Sequence, residues 1–382
     1  MAPRRRGLPF DPVLLLAVLG ICCASLITLH AATQDGVSFG SDQYVSRQGV
    51  YFGIGLLLAA LISRLDYSRL RELKYGLYAV TIVGILAVSA VGEVARGSRR
   101  AIALPFFSFQ ASELGKLLVV LAISAFMVDR IRRIHDRDTT ARVVLAALIP
   151  AALVMAQPDL GSALVYIAVT LAILFVAGVS WRHFAGLFGL GAVAIAIVLV
   201  AAPAAGVTVL HSYQTDRLTA FLHPTSNPGK EGYQQNQSKI AIGAGQKTGR
   251  GDQATQTRLK FLPESHTDFV FAVLGERYGF FGAALVLSLY ALLIWRGIRI
   301  LTLAKNLYGA LVAGGIVAML MFQVFINVGM NIGIAPITGI PLPLMSYGGS
   351  SVLTTLMAIG LLQSIYVQGQ AAAALKGRVL TY

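Results

Sequence analysis

Charge is scarce in this chain. Of 382 residues only 13% are Asp, Glu, Lys or Arg, whereas 56% are hydrophobic and the mean hydropathy is +0.71. That balance excludes a water-soluble globule of this size and specifies a polytopic membrane protein. Acid is scarcer than base: 17 Asp and Glu stand against 31 Lys and Arg, a net charge of +14. Such an excess can serve nucleic acid, but here it lies in short runs between apolar segments, where positive charge sets membrane orientation. Nucleic acid is therefore set aside. The two cysteines, Cys22 and Cys23, are adjacent within an apolar run. They supply neither a disulfide framework nor a metal site and read as small residues of a helix. No small-residue cleavage site closes the run after MAPRRRGLPFDP, which reads as an uncleaved first span. Pro-rich linkers, low-complexity tracts and a clear internal repeat are also lacking, so residues 1–382 read as a single integral-membrane domain.

A spanning helix needs about 20 mostly apolar residues. Ten stretches qualify: Pro12–Leu29, Gln48–Ile62, Tyr75–Val91, Ser112–Val128, Val143–Met155, Gly161–Val179, Phe184–Val209, Phe269–Ile294, Leu307–Ile334 and Ser351–Tyr366, the fifth being the shortest. The predicted fold is all-α, with a large extracytoplasmic loop over residues 210–268, between helices seven and eight. Arg4 to Arg6, Arg64 to Lys74, Arg130 to Arg142, Arg296 to Lys305, and Lys376 with Arg378 all fall on one set of alternate loops. The positive-inside rule makes that face, and both termini, cytoplasmic.

The chemistry-bearing residues collect on the opposite face. VGEVARGSRRAIALPFFSFQASELGK, after the third span, places Arg96, Arg99 and Arg100 outside, against the charge rule. Guanidinium forks suit phosphate oxygens, so these arginines read as an anion site, the alternative being contact with anionic headgroups. Glu113 and Lys116 are three residues apart at the start of the fourth span, hence on one face and able to pair. QPDLGSA places Asp159 where a carboxylate caps the sixth helix. In the long loop, Tyr233, Gln234, Gln237 and Ser238 have the spacing of a short polar helix lying on the membrane. GAGQKTGRG has the glycines of a phosphate loop but lacks the GK[ST] ending, and a nucleotidase is set aside. LKFLPESHTDFVFAVLGERYGFFG, Leu259–Gly282, crowds Glu264, His266 and Asp268 where a polar loop enters an apolar helix. Such a trio can bind metal but more often hydrogen-bonds internally. In NVGMNIGIAPITGIPLPLMSYGGSS, Asn327–Ser351, Pro and Gly break helix at membrane depth, which is tolerated where backbone lines a cavity. Ser346, Tyr347, Ser350 and Ser351 are expected to face that cavity.

FLPESHTDFVFAVLGE, QPDLGSA and NVGMNIG with PITGIPLPLMSYGGSS resemble the motifs of the SEDS family (shape, elongation, division and sporulation), and the last resembles its RodA branch more than FtsW. The resemblance runs through all ten spans in order. It implies a bacterial peptidoglycan glycosyltransferase that polymerises lipid II into glycan strands at the outer face of the cytoplasmic membrane during cell elongation. Its implied partners are the nascent strand, a class B penicillin-binding protein that crosslinks it, and other membrane proteins of the elongation complex. It assigns the essential acid of HTDF to Asp268 and the polar pair of the fourth helix to Glu113 and Lys116. The chain departs from the family where Ala101 and Ala111 stand in place of an aromatic residue and a proline. It departs also at Asp252, Gln253 and Ala254 before TQT, and at Arg277, where the family carries a second acid.

The reaction so implied gives Asp268 the role of general base on the acceptor 4-hydroxyl. Lys116, oriented by Glu113, together with Arg96, Arg99, Arg100 and Arg258, is assigned to the departing diphosphate. Glu264, His266, Gln237, Ser346 and Ser350 are expected to support them. No metal is required by these residues, and a divalent Mg or Mn at the diphosphate stays open. The rivals are a lipid II flippase, which needs polar groups along a path through the bilayer, and a non-catalytic scaffold.

Overall fold

The computed structural model of the protein describes residues 10–33, 41–95, 98–103, 108–204, 221, 230–259, 261–262 and 265–379. Ten of its helices are long and apolar enough to cross a membrane. They are α1 (Pro12–Thr33), α2 (Ser41–Arg64), α3 (Lys74–Val91), α4 (Ala111–Asp129), α5 (Arg137–Ala156), α6 (Leu160–Ala177), α7 (Trp181–Ala196, prolonged by a π turn to Ala204), α10 (Val270–Leu303), α11 (Leu307–Ile332) and α12 (Gly349–Val379). Among the described residues two further α-helices, α8 (Lys230–Gly245) and α9 (Thr255–Arg258), belong to the long segment between α7 and α10.

Every expected span is present and in order. The fifth is longer than its apolar stretch and begins at Arg137, with Asp138 and Arg142, one turn apart, paired at 3.0 Å along its exposed start. The segment between α3 and α4, expected as a loop, forms three short antiparallel strands: β1 (Glu93–Ala95), β2 (Ser98–Ala103) and β3 (Ser108–Phe109). The polar helix expected over this spacing is α8, and it packs against α10 and α11. The buried Gln235, Ser238 and Ala241 provide that contact.

Helix ends are set by short polar side chains and by glycine. The Asp159 carboxylate accepts from the Ser162 amide at the start of α6, and Asn306 accepts from Gly309 at the start of α11. Gly178 and Gly333, both at φ 86°, close α6 and α11 in the left-handed conformation that glycine adopts without steric cost. Inside the bundle α4, α11 and α12 are central and mostly buried, whereas α7 is almost wholly unburied and turns its apolar surface outward. At the basic end several charges are paired. Asp11, fully buried, caps α1 through the Val13 and Leu14 amides and receives the Arg296 guanidinium. A buried carboxylate held in this way is satisfied on both oxygens, whereas removing its partner would leave an uncompensated charge. The opposite end of the bundle gathers the β strands, α8, α9 and residues 335–348.

Candidate active site

Asp268 lies in the turn that leads into α10, half-buried, with Phe269 packed in the interior behind it. Its backbone is fastened on three successive carbonyls. The Tyr347 amide donates to His266 O at 2.9 Å, the Ser346 hydroxyl to Thr267 O at 2.6 Å, and the Asn327 and Asn331 side-chain amides to Asp268 O at 3.1 and 3.2 Å. Asn327 and Asn331 reach the same carbonyl because they are one turn apart on α11. Ser346 also accepts from the Leu342 amide at 2.8 Å, so its hydroxyl is used in both directions. Gln48 of α2 ties this loop from the other side, donating to Ser346 O at 3.2 Å and accepting from the Gly348 amide at 3.4 Å. Tyr44 lies against both His266 and Tyr347, with ring centroids 5.1 and 4.9 Å apart. Its main chain is thus held by α11 and by the 346–347 loop, which gives Asp268 a defined place. A Cβ added to Gly339, at φ 71°, would stand 3.8 Å from Asp268 Oδ2.

Residues 338–340 join this carboxylate to α6 and, through it, to α4. On one side is Gly339, facing Asp268; on the other, a Cβ on Gly161 in the first turn of α6 would meet Thr338 O at 2.8 Å. Beside Gly161, the Asp159 carboxylate caps α6 as expected. Its second oxygen accepts from Ser112 Oγ at 3.1 Å and Gln110 Nε2 at 3.3 Å, which binds the start of α4 to the start of α6. Tyr166 adds a bond to Ser112 O at 3.1 Å. One turn along α4, Lys116 Nζ donates to Glu113 Oε1 at 2.6 Å. The side chains of the pair are 1% and 4% exposed. Lys116 is thus neutralised by Glu113 and closed to solvent in this conformation, so Glu113 does more than orient it. Ser350 does not face the Asp268 loop. It accepts from the Gln110 amide at 3.0 Å and donates to Ser108 O at 2.8 Å, pinning β3 to α12.

Among the other expected site residues, Gln237 is on α8, where its Oε1 is buried with no hydrogen-bond partner among the described residues. Arg99 and Arg100 belong to β2, and Arg258 ends α9. Arg96 and Glu264 lie outside the described residues. Among the described residues no three His, Cys, Asp or Glu side chains gather as a metal site.

The glycine run that resembles a phosphate loop has a different task. A Cβ on Gly245 would meet Gly275 O at 1.9 Å, and one on Gly249, at φ 85°, would meet Arg277 O at 2.1 Å, so this segment presses its backbone directly onto α10. There α10 kinks at Gly279, φ 63°, and the Phe280 and Phe281 amides bond to Gln246 O and Lys247 O at 2.8 and 3.1 Å instead of to their own helix. Glu276, fully buried, caps α9: it accepts from the Gln256 amide at 2.8 Å, the Thr257 amide at 2.9 Å and Thr257 Oγ1 at 2.6 Å. Two of the departures from the family pattern meet here. Arg277 donates to Asp252 Oδ1 at 2.5 Å and to Ala31 O, at the end of α1, at 3.0 Å. Reading the sequence missed Asn327, Asn331, Glu276 and Gly339. Two asparagines one turn apart in an otherwise apolar helix were the available signal.

Comparison with known proteins matches residues 9–371 to the family described as FTSW_RODA_SPOVE, cell cycle protein. The chain is 36% identical over 359 residues to the peptidoglycan glycosyltransferase MrdB of Escherichia coli (strain K12), a match that covers 93% of each protein. It is similar to a chain of a peptidoglycan synthase complex solved in a study of how polymerization and crosslinking are coordinated, with 33% identity, TM-score 0.79, and 95% and 99% of the two chains covered. It is similar also to the crystal structure of the rod shape determining protein RodA of Thermus thermophilus, with 30% identity, TM-score 0.68, and 95% and 98% covered.

Proposed function

The chain belongs to the FtsW/RodA/SpoVE family, and from that membership we propose that it is a peptidoglycan glycosyltransferase of the cytoplasmic membrane, acting in cell elongation with Asp268 as its general base. The substrate is the lipid-linked disaccharide lipid II, and the product is a glycan strand longer by one unit. The single observation that supports the site assignment is the fastening of three successive carbonyls, His266, Thr267 and Asp268, which positions one carboxylate at the mouth of an apolar helix.

The acceptor 4-hydroxyl gives its proton to the Asp268 carboxylate as its oxygen attacks the anomeric carbon of the other sugar. The glycosidic bond forms as the bond to the lipid diphosphate breaks, and the diphosphate leaves with the electron pair. Attack opposite the leaving group inverts the anomeric centre, turning an α-linked donor into a β-linked product. Base assistance of this kind is worth about a hundredfold to ten-thousandfold in rate. Exchange of the Glu113 carboxylate for a diphosphate oxygen would free Lys116 for the leaving group, with Arg99 and Arg100 on the adjacent β2 and Arg258 on α9 as further cations.

The basic loops orient the site outward, with both termini cytoplasmic. The structural relative drawn from a synthase complex supports a crosslinking transpeptidase as partner. A flippase is the second reading, but the polar groups described above crowd one end of the bundle instead of lining a path through it. The test is polymer formation from lipid II by purified protein. Asp268→Asn should keep the wild-type thermal midpoint and abolish polymer, and polymer at the wild-type rate would refute the assignment.

A further inference from the structure

A phosphate leaving group needs a cation that is not already neutralised. Three cations at this end of the bundle, among the described residues, are engaged. Lys116 is paired with Glu113 at 2.6 Å, Arg277 with Asp252 at 2.5 Å, and Arg250 donates to Ala244 O and Thr255 Oγ1 at 3.1 and 3.4 Å. Lys247 is exposed, where a charge is well solvated and held to no geometry. Lys239 differs from all of these. It is half-buried on α8, and among the described residues it has neither a carboxylate nor a hydrogen-bond acceptor.

Its place is nevertheless fixed. The stem crosses Gly333, the residue that closes α11: a Cβ there would lie 1.9 Å from Lys239 Cε and 2.6 Å from Nζ. The neighbours of Lys239 hold α8 in that register. Gln235, one turn back, donates to Ala335 O at 3.1 Å, and Ser238 donates to Asn331 O at 2.9 Å. Asn331 in turn holds the Asp268 carbonyl. Two hydrogen bonds therefore separate the residue beside Lys239 from the general base, and a glycine keeps the path of its side chain open. An ammonium on a half-buried stem with no carboxylate beside it among the described residues suits an anionic ligand.

We propose that Lys239 binds a phosphate group, that of the lipid diphosphate on the donor. The inference rests on the glycosyltransferase reading for its substrate, but binding tests it independently of turnover. Farnesyl diphosphate serves as the probe, titrated into the full-length protein in neutral detergent, with farnesol as the uncharged control. Lys239→Met should weaken farnesyl diphosphate binding about tenfold or more, the scale of a lost charged hydrogen bond. It should leave farnesol binding unchanged, and Lys239→Arg, which keeps the charge, should restore most of the affinity. In polymerisation assays the Met variant should raise KM for lipid II more than it lowers kcat. Equal diphosphate binding by wild type and Lys239→Met would overturn the inference, as would a parallel loss of farnesol. The same measurements in nanodiscs of phosphatidylcholine and of phosphatidylglycerol separate the two phosphate sources: a Lys239 effect confined to phosphatidylglycerol assigns the residue to headgroups and overturns the donor site. Absence of polymer from wild type with the binding difference intact would refute the enzyme, not the phosphate site.

Discussion

Asn327 and Asn331 share one acceptor, and a double-mutant cycle on them tests whether the main chain of the Asp268 turn is held for catalysis. Asn331→Leu keeps approximate volume and removes one donor from Asp268 O. The carbonyl retains the Asn327 amide at 3.1 Å, and Ser238 retains Asn331 O at 2.9 Å. The expected cost is about 1–3 kcal/mol of stability, because the Asn331 amide also leaves Asn327 O at 2.8 Å and its oxygen leaves Ser238 Oγ at 3.2 Å. Asn327→Leu should cost a similar amount, because Ile340 O loses its bond at 2.8 Å along with the bond to Asp268 O. Only the double change takes both amides from Asp268 O, so the two effects should exceed their sum by about 1–3 kcal/mol, the penalty for a buried carbonyl deprived of these donors. In turnover the contrast should be sharper. Each single variant should polymerise lipid II within about tenfold of wild type, and the double variant should fall about a hundredfold, the scale of a 1 Å misplacement of a reacting group. Thermal midpoints in detergent and initial rates of polymer formation give both legs of the cycle. Strict additivity in stability and rate, or a double variant that turns over at the single-variant rate, would refute the reasoning.

Glu276→Gln should destabilise by about 2–4 kcal/mol, since three donors lose a carboxylate and the amide that replaces it brings a donor of its own into a buried cap. Hydrogen exchange should then rise selectively at the Gln256 and Thr257 amides, and unchanged exchange there would contradict the capping role. At the other end of the bundle, the Ser68 amide and then Lys305 hold the Asp66 carboxyl below its ordinary 3.8. A depressed carboxylate contributes stability that is complete above its unfolded pKa and lost as pH falls through the folded one. Acidification below about pH 4 should therefore lower the thermal midpoint of the wild type more than that of Asp66→Asn, measured at matched ionic strength.

Much of this was legible in the residues. Ten spans follow from apolar length, and Asp159 as a cap from its position after Pro158. Glu113 and Lys116 pair as their spacing requires. What was not legible depends on contacts between distant segments. GAGQKTGRG looks like a phosphate loop because glycine runs serve any close backbone approach. Here the approaching partner is α10 at its Gly279 kink, which no local pattern announces. Ser350 looked like a site hydroxyl, yet its neighbours are Ser108 and Gln110. Asp252 and Arg277 looked like two separate departures and form one ion pair.

The sequence by itself determined the solvent, the number of crossings and which face bears the polar residues, because hydrophobic length and charge placement act on each segment separately. Tertiary structure alone decided which polar groups are already used. Lys116 and Lys239 are both lysines near the same face; packing gives one a buried carboxylate at 2.6 Å and lays the other over a glycine with no carboxylate partner among the described residues. The physical reason is that a charge is described by its partner as much as by its own residue, and partners from other helices are chosen only when the bundle closes.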